Sequence, residues 1–124
     1  IRLAVENIDE EGIQKLKSLV EQSAQAKTAT EIVKLNSDMH DLIIRYACNK
    51  KLKSILDLVK DVIYHDRNVS AYNLSRRKDI HAEHLEILKA LEERNFEKAE
   101  KAMRAHIQNG LKYIIYEKSQ NKKA

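Results

Sequence analysis

Apolar residues recur at intervals of three and four along nearly the whole chain, which places them on one side of an α-helix. No segment shows the strict alternation of apolar and polar residues that is typical of a β-strand. The pattern therefore predicts an all-α fold, an antiparallel bundle of about five to six helices. The predicted helices cover residues 1–6, 9–27, 28–49, 50–65, 75–94 and 95 onward.

Several helix boundaries are marked by residues that suit them. Asp9 is followed by two glutamates and is a good N-cap, and the next helix begins near Thr28 or Thr30. Asn49 marks the end of that second helix. The periodicity fades into polar residues between His65 and Ser75, so we expect the longest loop of the chain there.

Three histidines lie on the apolar stripes of three different predicted helices. They are His40, His84 and His106, and Asn36 lies one turn before the first of them. Imidazoles that point inward from separate helices can converge on one metal ion. Three nitrogen ligands leave coordination positions for water or for the carboxylate of a small molecule. We expect a divalent ion, zinc or nickel, with Asn36 as a weaker fourth contact.

A purely structural interpretation stands beside this one. A single inward histidine is more often a core residue with a hydrogen-bond partner than a ligand. Burying three imidazoles without partners costs about 1–3 kcal/mol each, however, and a shared ion offsets that cost. The other two histidines, His65 and His81, are expected to face solvent or to lie beside the ligands.

Composition limits the possible classes of protein. With 124 residues the chain is long enough for one domain, and its one cysteine cannot form an internal disulfide, which favours a reducing cytoplasm. No apolar run approaches the roughly 18 residues of a membrane span. The net charge of +4 is modest and concentrated near the C-terminus, so residues 119–124 are expected to form a basic, disordered tail. Nucleic-acid binding by this chain itself is not implied.

Two stretches of the sequence carry a family resemblance. The segments LNSDMHDLIIRYACNKKL and EHLEILKALEERNFEKAEKAMRAHI resemble the ligand-binding FCD domain of FadR-type GntR transcription regulators. That family has an Asp four residues before a histidine that follows an aromatic residue, and an Asn at the end of that helix. Here Asn36 replaces the Asp, Met39 replaces the aromatic residue, and Asn49 is retained.

The second half of the family pattern is intact. A Glu–His pair precedes an Ile-Leu-x-Ala-Leu run, and another histidine follows the first by 22 residues, as His84 and His106 do here. The resemblance implies that Asn36, His40, His84 and His106 hold a divalent metal. Because an amide oxygen carries no negative charge, Asn36 is the departure from the family that puts metal affinity and metal identity in question.

The resemblance also implies a function. Residues 1–118 would be the effector-binding and dimerisation domain of a cytoplasmic bacterial regulator, and a winged helix-turn-helix domain, absent from this chain, would contact DNA. The implied effector is a carboxylate or a sugar acid. Arg45 and the region from Arg67 to Arg77, above all Arg76 and Arg77, are candidates for binding it.

Two other functions compete with this one. A three-histidine site can activate water, so the alternative is a metal-dependent helical-bundle enzyme. We nevertheless expect no enzyme, because the nearest acid, Glu83, should point about 100° away from His84 on the helix and no other general base is well placed. The third possibility is a structural dimerisation module with histidines in its core.

Overall fold

The structure is a computed structural model that describes residues 1–123. These residues form seven α-helices and no strand, which confirms the all-α prediction and gives more helices than the five or six expected. The helices are α1 (Arg2–Asn7), α2 (Glu10–Gln25), α3 (Ala29–Ala47), α4 (Lys50–Leu58), α5 (Lys60–Ala71), α6 (Leu74–Glu92) and α7 (Phe96–Lys123).

Polar N-cap side chains set most of the helix starts. Each accepts a hydrogen bond from the backbone N–H three residues later, which satisfies a donor that the helix leaves without a partner. These N-caps are Asp9, Thr28, Asn49, Asn73 and Asn95. Asn49 was expected to end the second helix, but it caps the start of α4. The end of α3 is Cys48, which is exposed and adopts the left-handed conformation with φ 53°.

The segment from His65 to Ser75 is not the predicted loop. Helix α5 extends to Ala71, and only Tyr72 and Asn73 separate it from α6. The polar residues misled the prediction because some of them face inward: Ser70 is buried, and Arg67 donates a hydrogen bond to buried Ser37. Val59 separates α4 from α5, and so divides the predicted third helix in two.

The main core lies between α1, α2, α3, α6 and α7. Helix α6 packs against α2 and α7, while α3 packs against α1, α2 and α5. The largest fully buried apolar side chains come from α1, α2, α3 and α6, and they are Val5, Leu16, Val20, Met39, Ile87 and Leu91. Short turns join the packed neighbours α2 with α3 and α6 with α7, so each pair runs antiparallel. This packing brings the three helices that carry the histidines together.

Close approach of α2 and α3 depends on one glycine. A Cβ atom at Gly12 would lie 2.6 Å from the ring of Tyr46, a distance that no unstrained packing allows. The Tyr46 hydroxyl donates a hydrogen bond of 2.9 Å to Asp9, the N-cap of α2. The glycine therefore lets α3 support the first turn of α2.

The C-terminal segment is helical over most of its length. Helix α7 continues to Lys123, over the residues for which the sequence predicts a disordered tail, because lysine and glutamine are good helix formers and no proline interrupts them. Ala124 lies outside the described residues. No helix within residues 1–123 has the length and apolar character needed to cross a membrane.

Candidate metal centre

The three predicted histidines meet at one point. His40 comes from α3, His84 from α6 and His106 from α7. The Nε2 atom of His106 lies 3.2 Å from Nε2 of His40 and 3.3 Å from Nε2 of His84. One nitrogen from each ring lies within 4.8 Å of the others. The arrangement has the donor set and the convergence that a metal ion requires.

Burial keeps two of these rings neutral. Burial is the main cause that lowers the pKa of His40 well below its usual value, with further contributions from His84, Arg67 and His106. Burial likewise lowers the pKa of His84 to about 3. A neutral imidazole has a lone pair, which is the state that binds a metal. His40 and His84 can therefore bind a cation without first losing protons at neutral pH.

Glu83 orients the third ring. Its carboxylate lies 2.7 Å from Nδ1 of His106 and forms a buried salt bridge of 2.8 Å with Arg76. Burial alone would raise the pKa of Glu83, but the hydrogen bonds from His106 and Arg76 outweigh it and lower the pKa to about 2. An ionised carboxylate only accepts hydrogen bonds, so Nδ1 of His106 is the donor in this contact and Nε2 is the ring nitrogen that lies beside His40 and His84.

Helical periodicity in the sequence does not reveal this role of Glu83. Helical spacing correctly separates Glu83 from His84 around α6, but the carboxylate then points into the contact between α6 and α7, where His106 and Asn109 lie. One general rule could have indicated this contact: metal-binding histidines commonly donate their second N–H to a carboxylate, which can come from a neighbouring helix. Glu83 is fully engaged by these partners and by Arg76.

The fourth predicted contact, Asn36, is half-buried on α3, one turn before His40. Whether its amide reaches an ion stays a prediction. His81 is half-buried, and its Nδ1 atom is buried without a hydrogen-bond partner among the described residues. The same is true of Nδ1 of His84. His65 is exposed on α5.

The three arginines proposed from the sequence occupy different places. Arg45 is exposed and lines a surface groove of about 410 Å³ between α2 and α3. Arg76 is buried and paired with Glu83, and Arg77 donates a hydrogen bond to the carbonyl of Ala71. Their role in binding an effector stays a prediction.

A fourth arginine, Arg67, acts on the histidines through its charge. Arg67 is half-buried on α5, and its positive charge contributes to lowering the pKa of both His40 and His84. One of its terminal nitrogens donates a 2.9 Å hydrogen bond to Ser37. Within the part of the chain that the structure describes, no acidic side chain forms a salt bridge with Arg67.

Comparison with known proteins agrees with this architecture. The FCD domain family model matches residues 1–109, and the chain belongs to the FCD domain family. A relative from Bacillus subtilis (strain 168), the uncharacterised HTH-type transcriptional regulator YdhC, is 28% identical over 128 residues. The match covers 98% of this chain but 57% of that protein, so the chain spans little more than half the length of this relative. No solved structure matches the chain.

Proposed function

We propose that this chain is the effector-sensing domain of a bacterial transcription regulator, with a divalent metal held by His40, His84 and His106. The observation that carries the proposal is the convergence of three ring nitrogens from three helices. In this proposal Asn36 is the weaker fourth contact and the ion is zinc or nickel, because both accept imidazole ligands readily. The domain relationship is supported by the family match and by the HTH-type relative.

The geometry of the cluster fits a metal ion. Bonds of about 2.0–2.1 Å to a tetrahedral ion place neighbouring ligand atoms about 3.3 Å apart. The two Nε2 separations, 3.2 and 3.3 Å, agree with that spacing. A carboxylate that accepts the other N–H of His106 matches the usual support of a metal-bound imidazole.

The effector that suits this site is a small carboxylate or a sugar acid. A carboxylate oxygen can occupy the coordination positions that three histidines leave. Arg67 supports this chemistry because it is a half-buried cation that forms no salt bridge within residues 1–122, where Asp41 acts on it only through the field of its charge, whereas Arg76 already pairs with Glu83. We therefore propose Arg67, ahead of Arg45, Arg76 and Arg77, as the residue that meets the effector's negative charge.

Regulation would follow from a shift between two arrangements of a dimer. An effector biases such an equilibrium only by the difference in its affinity for the two states. We propose that this chain dimerises, that a winged helix-turn-helix domain outside it contacts DNA, and that the whole protein works in the cytoplasm. The alternative, a metal-dependent enzyme, rests on the same three histidines, but Glu83 is occupied by His106, Arg76 and Asn109 and is not available as a base.

Elemental analysis of the purified chain tests the metal site. We expect about one divalent ion per chain and a lower melting temperature after chelation, restored by zinc or nickel. His84→Ala should abolish metal binding, whereas His65→Ala, at an exposed histidine, should leave it unchanged. A chain that neither copurifies with a metal nor takes one up, and whose melting is insensitive to chelation, would refute the proposal and favour a structural role for the histidines.

A further inference from the structure

A buried arginine on α6 lies behind the carboxylate that contacts His106. Arg76 is 6% exposed and pairs with Glu83, two turns further along the same helix. Its guanidinium donates two hydrogen bonds to the carboxylate, one of 2.8 Å from Nη1 to Oε2 and one of 3.2 Å from Nη2 to Oε1. Two parallel bonds of this kind fix the plane of a carboxylate as well as its position.

Both oxygens of Glu83 also accept hydrogen bonds from α7. Oε1 lies 2.7 Å from Nδ1 of His106, and Oε2 accepts a bond of 3.2 Å from the side-chain amide of Asn109. An ionised carboxylate offers about four acceptor positions, and Arg76, His106 and Asn109 together occupy them. The ring of His106 is therefore oriented by a carboxylate whose own orientation Arg76 fixes from α6.

Helix α7 encloses the arginine from the other side. The guanidinium carbon of Arg76 lies 6.0 Å from the centroid of the Tyr113 ring. A Cβ atom at Gly110 would lie 3.9 Å from a terminal nitrogen of Arg76, so a side chain longer than that of alanine at this position would meet the guanidinium. The arginine is therefore confined between α6 and α7, beside the carboxylate that it holds.

Stability alone does not account for this buried pair. A buried ion pair is often no more stabilising than apolar residues of similar volume. The Nε atom of Arg76 is buried and has no hydrogen-bond partner among the described residues, which adds the cost of an unsatisfied donor. The arrangement therefore points to a second role for Arg76, and the contact between Glu83 and His106 supplies one.

We propose that Arg76 is a positioning residue, which holds the carboxylate of Glu83 so that Glu83 fixes the ring of His106 with Nε2 toward His40 and His84. The inference rests on the proposed function for its consequence, because the ion would bind at that nitrogen. It replaces direct contact with the effector as the role of Arg76, since both terminal nitrogens of the guanidinium already donate to Glu83.

NMR of the metal-free protein tests the positioning itself. The hydrogen bonds of an imidazole decide which of its nitrogens carries the proton, so correlation spectra of the ring nitrogens should show His106 with its proton on Nδ1. Arg76→Lys keeps the positive charge but cannot make the two parallel bonds, and we expect it to show both tautomers of His106. Arg104→Gln, which removes an exposed arginine paired with Glu100 on α7, is the matched control and should leave the spectrum of His106 unchanged.

A second variant covers the case in which Arg76→Lys does not fold. Arg76→Gln combined with Glu83→Gln removes both charges together, so no buried charge is left without a partner. This double variant should also show both tautomers, because nothing then fixes the orientation of residue 83. A His106 ring that keeps its proton on Nδ1 alone in either folded variant would overturn the proposal.

Metal affinity tests the consequence of the positioning. Arg76→Lys should bind zinc or nickel about 10–100-fold more weakly, whereas Arg104→Gln should bind it like the unaltered protein. In a Glu83→Ala background Arg76→Lys should cause no further loss, because Arg76 acts through that carboxylate. An unchanged affinity in the single variant, or a further loss of the same size in the Glu83→Ala background, would overturn the proposal. If the unaltered chain takes up no metal, the proposed function fails while the NMR spectra still decide the role of Arg76, so the two failures are distinguishable.

Discussion

The residue at position 36 decides how much negative charge the proposed metal site carries. Asn36→Asp adds a carboxylate one turn before His40 and should strengthen metal binding by about 1–3 kcal/mol, the usual worth of an interaction with a charged group in a partly buried site. Competition titration of the metal-free protein measures this change. Asn7→Asp adds the same charge at an exposed position on α1 and serves as the control. Equal affinities for all three proteins would mean that residue 36 does not face the ion.

Glu83 supplies the negative charge nearest to the cluster, through the Nδ1 proton of His106. Glu83→Gln keeps an oxygen acceptor but removes the charge, and should lower metal affinity by about 10–100-fold, as loss of such a supporting group usually does. The control is Glu86→Gln, an exposed glutamate on the same helix. Circular dichroism must show folded apo protein, because buried Arg76 loses its charge partner. Unchanged metal affinity would show that Glu83 serves only Arg76.

Residue type and helical spacing predict that the three histidines converge, but not the contacts that support them. Inward-facing histidines on separate helices are unusual. This feature identified His40, His84 and His106 as candidate metal-binding residues. The contact between Glu83 and His106 depends on how α6 and α7 are rotated against each other, which helical periodicity does not specify. The sequence indicated Arg67 only as the first residue of a region that could bind the effector. Its charge, among other polar residues, made the surrounding segment resemble a solvent-exposed loop.

The C-terminal ends of α3 and α6 show that the stability of a helix end depends on side-chain contacts as well as on backbone conformation. Cys48, after α3, and Arg94, after α6, both have positive φ, 53° and 54°. Non-glycine residues in this conformation cost about 1–2 kcal/mol, and glycine is favoured there. Cys48→Gly should therefore raise the free energy of unfolding by up to about 1 kcal/mol, because the exposed thiol makes few contacts to lose.

Arg94→Gly is the informative comparison. It relieves the same backbone strain but removes a guanidinium that donates hydrogen bonds to the carbonyls of Val5 and Ile8, and so joins the end of α1 to the turn between α6 and α7. We expect this variant to be less stable than the unaltered protein. Chemical denaturation measures both changes, and a shift of the same sign in the two variants would contradict this account.

The helix pattern was predictable where one face is apolar and the other is not. The N-caps Asp9 and Thr28 and the bounds of α2, α3 and α6 agree with the sequence to within a few residues. The second half of α5 escaped prediction because its inward face combines Ala71 with the polar Arg67 and Ser70, and hydrophobic periodicity counts the last two as outward positions. Tertiary contacts with α3 decide the conformation of that segment.

At the scale of the whole molecule, effector binding should appear as stabilisation. A ligand that binds only the folded state raises its stability by RT ln(1 + [L]/Kd), about 2.7 kcal/mol at a hundredfold excess over Kd. A thermal-shift screen of organic acids and sugar acids on the metal-loaded protein should therefore find ligands. The shift should disappear in His84→Ala, whose helical content should remain.

Arg67→Gln separates recognition of the carboxylate from binding of the metal. We expect this variant to keep its metal and to lose most of the carboxylate-induced shift, whereas Arg45→Gln, at an exposed arginine, should behave like the unaltered protein. A full shift in Arg67→Gln would place the effector elsewhere. Conversion of a stabilising compound to a product would instead favour the enzyme alternative.

The exposed thiol at the end of α3 also offers a direct way to watch the proposed site fill. Cys48 is the one cysteine in the sequence and lies eight residues after His40, about 12 Å along the helix axis. A thiol-reactive fluorophore attached there would be within quenching range of a paramagnetic ion such as Cu²⁺ or Ni²⁺ bound by the histidines. Fluorescence could then follow the arrival of the ion in real time, on a chain that needs no cysteine added or removed.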